Sequence, residues 1–572
     1  MTTSTSRWFP GLRIARDYRA SWLSGDVAAG LTLTALLVPQ GMAYAQLAGL
    51  PPVTGLYTTV LGLLAYAIFG PSRILVLGPD SALGPLIAAA IVPVVAASAE
   101  SAVAVAGVLA VMMGFVCIGA GLARLGTVAE LLSKPVRVGY LNGIAIVVLA
   151  SQLPKLFGFS ADSDSTLGEL ADFVAGITAG KANPTAVTIG LICLMIILGF
   201  RRYRPRVPGV LLAVVGATLA VIWFDLAGRG ISLVGPVPPG FPRPSLPTVG
   251  FDELGRLGLA AVGMAFVTLA DTSALSRVFA AQAGDDVDPN QEIVALGIAN
   301  LAAGAFQGFP LSASSSRTAV AKTAGANTQL VGVLGAVAIV ILLIWGNDLT
   351  TSMPSASLAA IVIAAAFSLF DLAELRWLWR ARKSEFNLCV FAIAGVVVFG
   401  VLEGIVIAIA LSLGNFIRRA WRPHDAILGR LPTRKGYHDL GRHPEGSSVP
   451  GLLIYRFDAP LFFANAEHFA RRVKNTIADR DETITWVIVA AEPITDIDTT
   501  GAEVLVDLVD ELSERGTRLV FAELKGPVKD RLNSYGLNDL VTEDRLFPTL
   551  GTAVAGYVRA TGVTWHDPVE DH

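Results

Sequence analysis

Long apolar stretches separated by short polar segments dominate most of this chain. Apolar runs of about 20 residues recur from residue 27 to about residue 416, and each is long enough to span a bilayer. Beyond Trp421 the pattern changes to strand-like runs that alternate with amphipathic helices, which is typical of a compact α/β domain. The pattern therefore predicts a polytopic α-helical membrane protein followed by a soluble α/β domain.

The changes in pattern also predict the domain organisation. We expect an N-terminal segment over residues 1–24, a transmembrane domain over 25–420, a linker over 421–450 and a soluble domain over 451–562. The linker is predicted because residues 423–449 are rich in proline, glycine and charged residues. The soluble domain, at about 110 residues, is long enough to form one hydrophobic core.

The distribution of basic residues predicts the orientation in the membrane. Arginine and lysine cluster in the connections near 124–137, 201–206, 376–383 and 418–422. Few of them occur in the connections near 93–101, 155–184, 225–254 and 346–354. Under the positive-inside rule the first set faces the cytoplasm, which gives about 14 crossings of the cytoplasmic (inner) membrane with both termini in the cytoplasm.

Composition supports this class and excludes others. Of the 572 residues 53% are hydrophobic and only 16% are charged, against about a quarter in soluble proteins. The formal net charge of −3 gives no indication of a nucleic-acid partner, and the three cysteines lie in apolar stretches, so we expect neither disulfides nor a metal site. All six histidines follow residue 420, which excludes a histidine proton relay in the membrane. Because no nucleophile–base pair is evident, we expect neither an enzyme nor a cofactor.

Two of the crossings, the third and the tenth, are short and begin in the same unusual way. One follows Leu77-Gly-Pro-Asp-Ser81 and the other follows Gly308-Phe-Pro310, so that each has an apolar lead, a proline and small polar residues that open a helix. Their odd offset gives them opposite orientations, which is the pattern of an inverted-repeat transporter. Two helix N-termini then face one cavity near the midplane, and their positive dipole ends suit an anion.

The polar residues at these two helix starts are candidate substrate ligands. A charged side chain in mid-membrane costs a few kcal/mol, so Arg317 is a functional candidate. We assign to the substrate site Ser81, the N–H of Ala82, Ser314, Ser315, Ser316 and Arg317. Asp80 is expected to cap its helix, since it would repel an anion. The alternative is structural, with Arg317 as a helix anchor and the serines as packing surfaces.

The first and eighth crossings supply further candidates. Pro39 is expected to break the first helix and to place Gln40 and Tyr44, two more substrate candidates, one turn apart. Both also have a structural reading, as a hydrogen bonder at the break and as packing. Asp271 is isolated in an apolar run, where an acid pairs with a cation or takes up a proton. We expect it to pair with Arg317 and, with Thr272, to couple transport to H⁺ or Na⁺.

At this point the residues resemble the sulfate permease (SulP) family of anion transporters, relatives of the animal anion exchangers of prestin and pendrin type. The matching pieces are Val38-Pro-Gln-Gly-Met-Ala-Tyr-Ala45, Leu50-Pro-Pro-Val-Thr-Gly-Leu-Tyr57, Leu77-Gly-Pro-Asp-Ser81, Val287-Asp-Pro-Asn-Gln-Glu292 and Ser314-Ser-Ser-Arg317. The resemblance extends from about Trp22 to the C-terminus. It implies a seven-plus-seven inverted repeat with core and gate domains, a substrate site between the third and tenth helices, elevator-like movement and a homodimer.

The chain departs from the family pattern at two places. The family often has glutamate before Ser-Leu-Leu in the eighth helix, whereas this chain has Asp271-Thr-Ser-Ala-Leu-Ser276. Aspartate is associated with sodium-coupled bicarbonate carriers of the family and glutamate with proton-coupled or exchange types, so H⁺ and Na⁺ both stay open. The tenth helix begins with Ser312-Ala-Ser-Ser-Ser316 instead of the commoner Ser-Gly-Ser-Phe-Ser.

The soluble domain resembles a STAS domain, the module shared by sulfate transporters and anti-sigma-factor antagonists. The matching pieces are Asp458-Ala-Pro-Leu-Phe-Phe463 and Asp496-Ile-Asp-Thr-Thr-Gly501. Thr500 stands where antagonist members carry a phosphorylated serine, so the resemblance implies a regulatory site and a cytoplasmic partner there. The alternative is that Thr499 or Thr500 caps the following helix.

The sequence thus predicts a secondary active transporter of small inorganic anions of the sulfate, bicarbonate and chloride class. Its expected partners are the anion, membrane lipid and a second copy of the chain. Two alternatives stay open: a proton-coupled C4-dicarboxylate transporter and a membrane-anchored STAS sensor that does not transport. A nucleobase permease shares the architecture, but Arg317 and the STAS domain argue against it. The soluble domain has no phosphate-binding P-loop, so ATP-driven pumping is not indicated.

Overall fold

A computed structural model describes residues 9–565 except 98–99, 126–132, 162, 164, 205–206, 239, 245–249, 284–286, 347–349 and 433. The chain divides into two compact units, residues 1–412 and 413–572. The first eight residues of the expected N-terminal segment lie outside the described residues, as do parts of the connections near 93–101, 124–137, 201–206, 225–254 and 346–354.

Helices make up nearly all of the regular structure of the first unit, and the last of them runs past residue 412 into the second unit. They are α1 (Pro10–Arg16), α2 (Leu23–Leu47), α3 (Pro52–Phe69), α4 (Leu83–Ala97), α5 (Ala102–Leu122), α6 (Lys134–Leu156), α7 (Thr166–Thr178), α8 (Pro184–Tyr203), α9 (Gly209–Trp223), α10 (Phe251–Ala283), α11 (Pro289–Ala305), α12 (Ser315–Thr323), α13 (Leu330–Trp345), α14 (Ser355–Leu369), α15 (Leu372–Ala381), α16 (Lys383–Phe399) and α17 (Val401–Trp421). Eight spans in the described part of the chain are long and apolar enough to cross a membrane, and three shorter helices are also apolar.

The two interrupted crossings meet through their backbones, because their extended leads pair. Strands β1 (Leu77–Gly78) and β2 (Ser312–Ala313) form an antiparallel pair that immediately precedes α4 and α12. The Ser314 N–H donates to the Val76 carbonyl at 3.0 Å, and the Val76 N–H donates to the Thr318 hydroxyl at 3.0 Å. These bonds satisfy backbone groups that water cannot reach, which is a condition for non-helical chain within a membrane.

Pro39 does not break the first crossing, so this expectation was wrong. Helix α2 is continuous from Leu23 to Leu47 with Pro39 inside it. Proline is tolerated in membrane helices because neighbouring groups and small backbone adjustments satisfy the carbonyl that it frees. Gln40 and Tyr44 still lie one turn apart on the same helix.

The helices of the first unit pack into two groups. In the first group α11 packs against α5 and α3, α13 against α2 and α3, α10 against α5 and α4, and α12 against α2. In the second group α6 packs against α14 and α16, and α8 against α9 and α14. Glycine permits close approach of helices in the first group, where a Cβ on Gly297 would lie 2.7 Å from the Gly114 carbonyl oxygen.

The first group also contains a fully buried carboxylate from the motif at residues 287–292. Glu292 has no exposed surface, and it accepts hydrogen bonds from the Tyr66 hydroxyl of α3 and the Ser276 hydroxyl of α10, the latter at 2.8 Å. Glu292 of α11 is therefore linked to α3 and α10 by hydrogen bonds from two neutral hydroxyls.

The second unit is an α/β domain built on a six-stranded sheet. The strands are β3 (Asp425–Leu431), β4 (Arg434–Asp439), β5 (Leu452–Phe457), β6 (Trp486–Ala490), β7 (Arg518–Ala522) and β8 (Leu546–Phe547), in the order β4-β3-β5-β6-β7-β8. Strands β5 to β8 are parallel, and β3 is antiparallel to both of its neighbours. The helices are α18 (Ala466–Ala478), α19 (Thr499–Glu514), α20 (Gly526–Ser534) and α21 (Leu550–Thr561). Both faces of the sheet are covered, which explains the continuous apolar runs of β6 and β7.

Residues 421–450 are not a simple linker, which corrects that expectation. Strands β3 and β4 lie in this segment, and β3 pairs with β5 with Asp425 opposite Phe457. Ala426 and Leu428 alternate into the core of the sheet. The high content of proline, glycine and charge around these strands hides a short alternating pattern that becomes stable only by pairing with a neighbour.

Candidate functional site

Polar side chains from α2 and from the two interrupted crossings line one cavity of about 470 Å³ in the first unit. The sequence-predicted substrate residues that line it are Gln40, Tyr44, Ser81, Ser314, Ser315, Ser316 and Arg317. The opposite wall comes from α8, α9 and α14 and is largely apolar. The cavity therefore lies between the two helix groups, with its polar residues on the first group.

Arg317 is the most unusual side chain of the cavity. It is 1% exposed, and its Nη2 donates to the Pro79 carbonyl oxygen at 2.6 Å. Its Nε and Nη1 atoms have no hydrogen-bond partner among the described residues. Asp80 interacts with Arg317 electrostatically, but no carboxylate of the described residues lies within ion-pair distance of it, so a buried guanidinium here keeps unused donors.

The N-terminus of α12 is organised by serine side chains. Ser314 is the N-cap, and its hydroxyl accepts from the Arg317 N–H at 3.4 Å. The hydroxyls of Ser314 and Ser316 are 3.3 Å apart. The first N–H groups of a helix have no acceptor within the helix, so this end presents donors as well as hydroxyls to the cavity.

The N-terminus of α4 is organised by a carboxylate. Asp80 Oδ1 accepts from the Ala82 N–H at 2.9 Å, which confirms that Asp80 is a capping residue. Ser81 is 7% exposed and lines the cavity. Ala82 is different: its N–H is committed to Asp80, and it is not part of the cavity wall. The structure therefore does not support its assignment as a substrate ligand, which stays a prediction.

Asp271 does not pair with Arg317, which corrects that expectation. Its Oδ1 lies 3.8 Å from Nη1 of Arg137, near the start of α6. Arg317 reaches instead across the strand pair to Pro79. Neither Asp271 nor Thr272 lines the cavity. Thr272 is fully buried, and its hydroxyl, like those of Thr268 and Ser273, has no partner in the described part of the chain.

Sequence reasoning did not include Arg201 of α8, which also lines the cavity. Its Nη1 donates to the Ala364 carbonyl oxygen at 3.3 Å. The positive-inside pattern assigned this residue to a cytoplasmic cluster. Its position directly at the end of the apolar run is the signal that it lies nearer the membrane than the rest of that cluster.

The candidate regulatory threonine is at the N-terminus of α19 in the second unit. Thr500 is exposed at the second helical position. The cap is Asp498, whose Oδ1 accepts from the Gly501 N–H at 2.6 Å and whose Oδ2 accepts from the Phe463 N–H at 2.9 Å. The alternative that Thr499 or Thr500 caps this helix was therefore wrong, and phosphorylation of Thr500 stays a prediction.

Comparisons with known proteins agree with this architecture. The family model described as the sulfate permease family matches residues 23–393, and the STAS domain model matches residues 443–553. A probable sulfate transporter of Mycobacterium tuberculosis is 40% identical to this chain over 98% of the chain and 99% of its own length. The chloroplastic sulfate transporter 4.1 of Arabidopsis thaliana is 31% identical over 96% and 82%.

A solved structure shows the same fold over almost the whole chain. The murine solute carrier 26 family member A9 anion transporter in the inward-facing state superimposes with a TM-score of 0.90 and covers 98% of this chain and 95% of its own. At 22% identity the likeness concerns the fold alone. It confirms the predicted fold class, a polytopic helical membrane protein with a C-terminal STAS domain.

Proposed function

The chain belongs to the sulfate permease family, and from this premise we propose that it is a secondary active transporter of small inorganic anions. It acts as a multi-pass protein of the cytoplasmic membrane, with both termini in the cytoplasm. The names of its relatives from Mycobacterium tuberculosis and Arabidopsis thaliana support sulfate as the first anion to test. Bicarbonate and chloride belong to the same class of candidates.

The observation that carries this proposal is the buried Arg317 with its unused donors. In the cavity, Arg317 attracts an oxyanion by its positive charge, and the hydroxyls at the start of α12 donate hydrogen bonds to that anion. Ser81, Gln40 and Tyr44 complete the polar wall. The dipole ends of α4 and α12 add positive potential without a further cation.

Transport in this proposal is an elevator-like movement of the first helix group against the second. The strand pair of β1 and β2 ties the starts of α4 and α12 together, so that the anion site moves as one piece. Asp271 and Thr272 couple this movement to H⁺ or Na⁺. The protein works as a homodimer, and a cytoplasmic regulatory partner binds the STAS domain at Thr500.

Reconstitution in liposomes tests the proposal. Uptake of labelled sulfate, bicarbonate and succinate is measured with an imposed H⁺ gradient, with a Na⁺ gradient and with neither. We expect uptake of an inorganic anion that one gradient accelerates. Preference for succinate would instead support the C4-dicarboxylate alternative. No uptake under any gradient, in preparations that remain folded and monodisperse, would favour the STAS sensor.

A further inference from the structure

The coupling candidate Asp271 has a cation beside it that the sequence did not indicate. Arg137 Nη1 of α6 lies 3.8 Å from Asp271 Oδ1 of α10, and the two side chains are 36% and 38% exposed. Arg137 lies in the first turn of α6, three residues after Lys134. Both side chains are thus open enough for a proton to reach the carboxylate.

This ion pair joins the two helix groups. Helix α10 packs against α4, α5 and α11 of the first group, whereas α6 packs mainly against α14 and α16 of the second. A movement of one group along the other by several ångströms separates the two charges. Separating a partly exposed ion pair costs up to about 1 kcal/mol, so the intact pair opposes that movement.

The other groups around Asp271 do not replace Arg137. Tyr140 of α6 and Asp80 at the start of α4 interact with Asp271 electrostatically, but neither carries a positive charge. Helix α5 contributes no charged residue at all. On the side of α11, Glu292 is already engaged by Tyr66 and Ser276. Arg277, further along α10, donates through Nε to the Ser273 carbonyl at 3.2 Å.

We propose that Arg137 is the resident counter-cation of Asp271 and that protonation of Asp271 releases this pair and allows the two helix groups to move. The proposal rests on the proposed transport function and selects H⁺ over Na⁺ as the coupling ion. A carboxylate that takes up one proton becomes neutral and loses its attraction to Arg137, with no further reactant. A Na⁺ ion at the same carboxylate would be repelled by the guanidinium 3.8 Å away.

The pH profile of sulfate uptake under an imposed H⁺ gradient tests the proposal through Arg137→Gln. Arg137 favours the charged carboxylate, so its removal allows Asp271 to take up a proton at higher pH. We expect the pH of half-maximal uptake to rise by about one unit or more. Arg137→Lys retains the charge and should stay close to the wild-type profile. An unshifted profile in Arg137→Gln would overturn the proposal.

Lys134→Gln is the matched control, because it removes a cation from the same turn of the same helix. Lys134 pairs with Glu374, at 2.7 Å, and not with Asp271. We expect this variant to keep the wild-type profile. Replacing Na⁺ by choline should leave uptake unchanged in the wild type. A requirement for Na⁺ would contradict the proposal that Arg137 is the counter-cation of Asp271.

A double-mutant cycle of thermal stability keeps the test decisive if Arg137→Gln assembles poorly. Arg137→Gln and Asp271→Asn each leave one charge unpaired, whereas the double variant leaves none. We therefore expect the double variant to be more stable than the sum of the single losses. Additive losses of thermal stability would show that Arg137 and Asp271 do not interact.

Gradient-free exchange of labelled sulfate separates this proposal from the proposed function. Wild-type exchange with an unshifted Arg137→Gln profile would preserve the transport function and overturn the role of Arg137. Absence of exchange in the folded wild-type protein would overturn both.

Discussion

The two interrupted crossings use the same backbone device with opposite charges. Each enters through a short strand, and the two strands pair before each chain turns into a short helix. At the start of α4 the charged residue is Asp80, which caps its own helix. At the start of α12 it is Arg317, which is buried and retains unused donors. The two starts therefore share one backbone geometry, and they differ in the charge of the side chain that each carries.

This difference explains how the proposed anion site would tolerate a carboxylate in its wall. The Asp80 carboxylate accepts a backbone N–H, and Arg317 donates to the carbonyl of Pro79, the residue just before it. The cation of one half thus reaches the start of the other half, and two of its donor atoms, Nε and Nη1, have no partner among the described residues. Two acidic starts would repel the substrate, and two arginines would repel each other across the strand pair.

The largest effect is expected from Arg317→Ala, which removes the charge that distinguishes the two starts. Loss of a buried charged donor costs about 3 kcal/mol, or about 100-fold in kcat/KM for sulfate uptake. Lys322→Ala, in the last turn of the same helix and outside the cavity wall, is the control and should retain uptake. If Arg317→Ala assembles and retains at least a third of wild-type uptake, Arg317 is only a helix anchor.

A smaller effect is expected from Gly78→Ala. This substitution lies just before α4, but the added methyl group would displace Arg317 at the start of α12. A Cβ at Gly78 would lie 2.7 Å from Arg317 Nη1, so the guanidinium must move. We expect uptake to fall about 10-fold, equivalent to about 1.4 kcal/mol of overpacking. Gly119→Ala in α5, where nothing lies within 4 Å of the added Cβ, should be neutral. Equal uptake by both variants would show that the position of Arg317 is not critical.

The sequence predicted the fold class and the pair of interrupted crossings because both depend on local patterns. Apolar run length identifies the spans, and a proline followed by serines identifies a helix start. The sequence did not predict which charged side chains pair with each other. Asp271 was assigned to Arg317 because both are isolated charges, yet it lies beside Arg137 from another crossing. Which crossings become neighbours depends on tertiary packing, and a single sequence does not report it.

The remaining errors have similar physical causes. The N–H of Ala82 was expected to be free, but the side chain two residues earlier satisfies it. Strands β3 and β4 were missed because they exist through pairing with each other and with β5. The roles of the site residues stay predictions, and functional measurements test them.

The smallest effect is expected from Asp80→Asn, which removes the negative charge at the start of α4 and leaves the positive charge at the start of α12. Asparagine caps a helix as well as aspartate, so α4 should keep its start while the cavity loses a negative charge. Two like unit charges about 6 Å apart in a water-filled cavity repel each other by about 0.7 kcal/mol, so we expect the KM for sulfate to fall about 3-fold. Asp371→Asn, which changes the equivalent cap of α15 outside the cavity wall, should leave KM unchanged. A rise in KM in Asp80→Asn would mean that the carboxylate helps to hold Arg317 in place, and the two starts would then act as a charge pair instead of as a cap and a ligand.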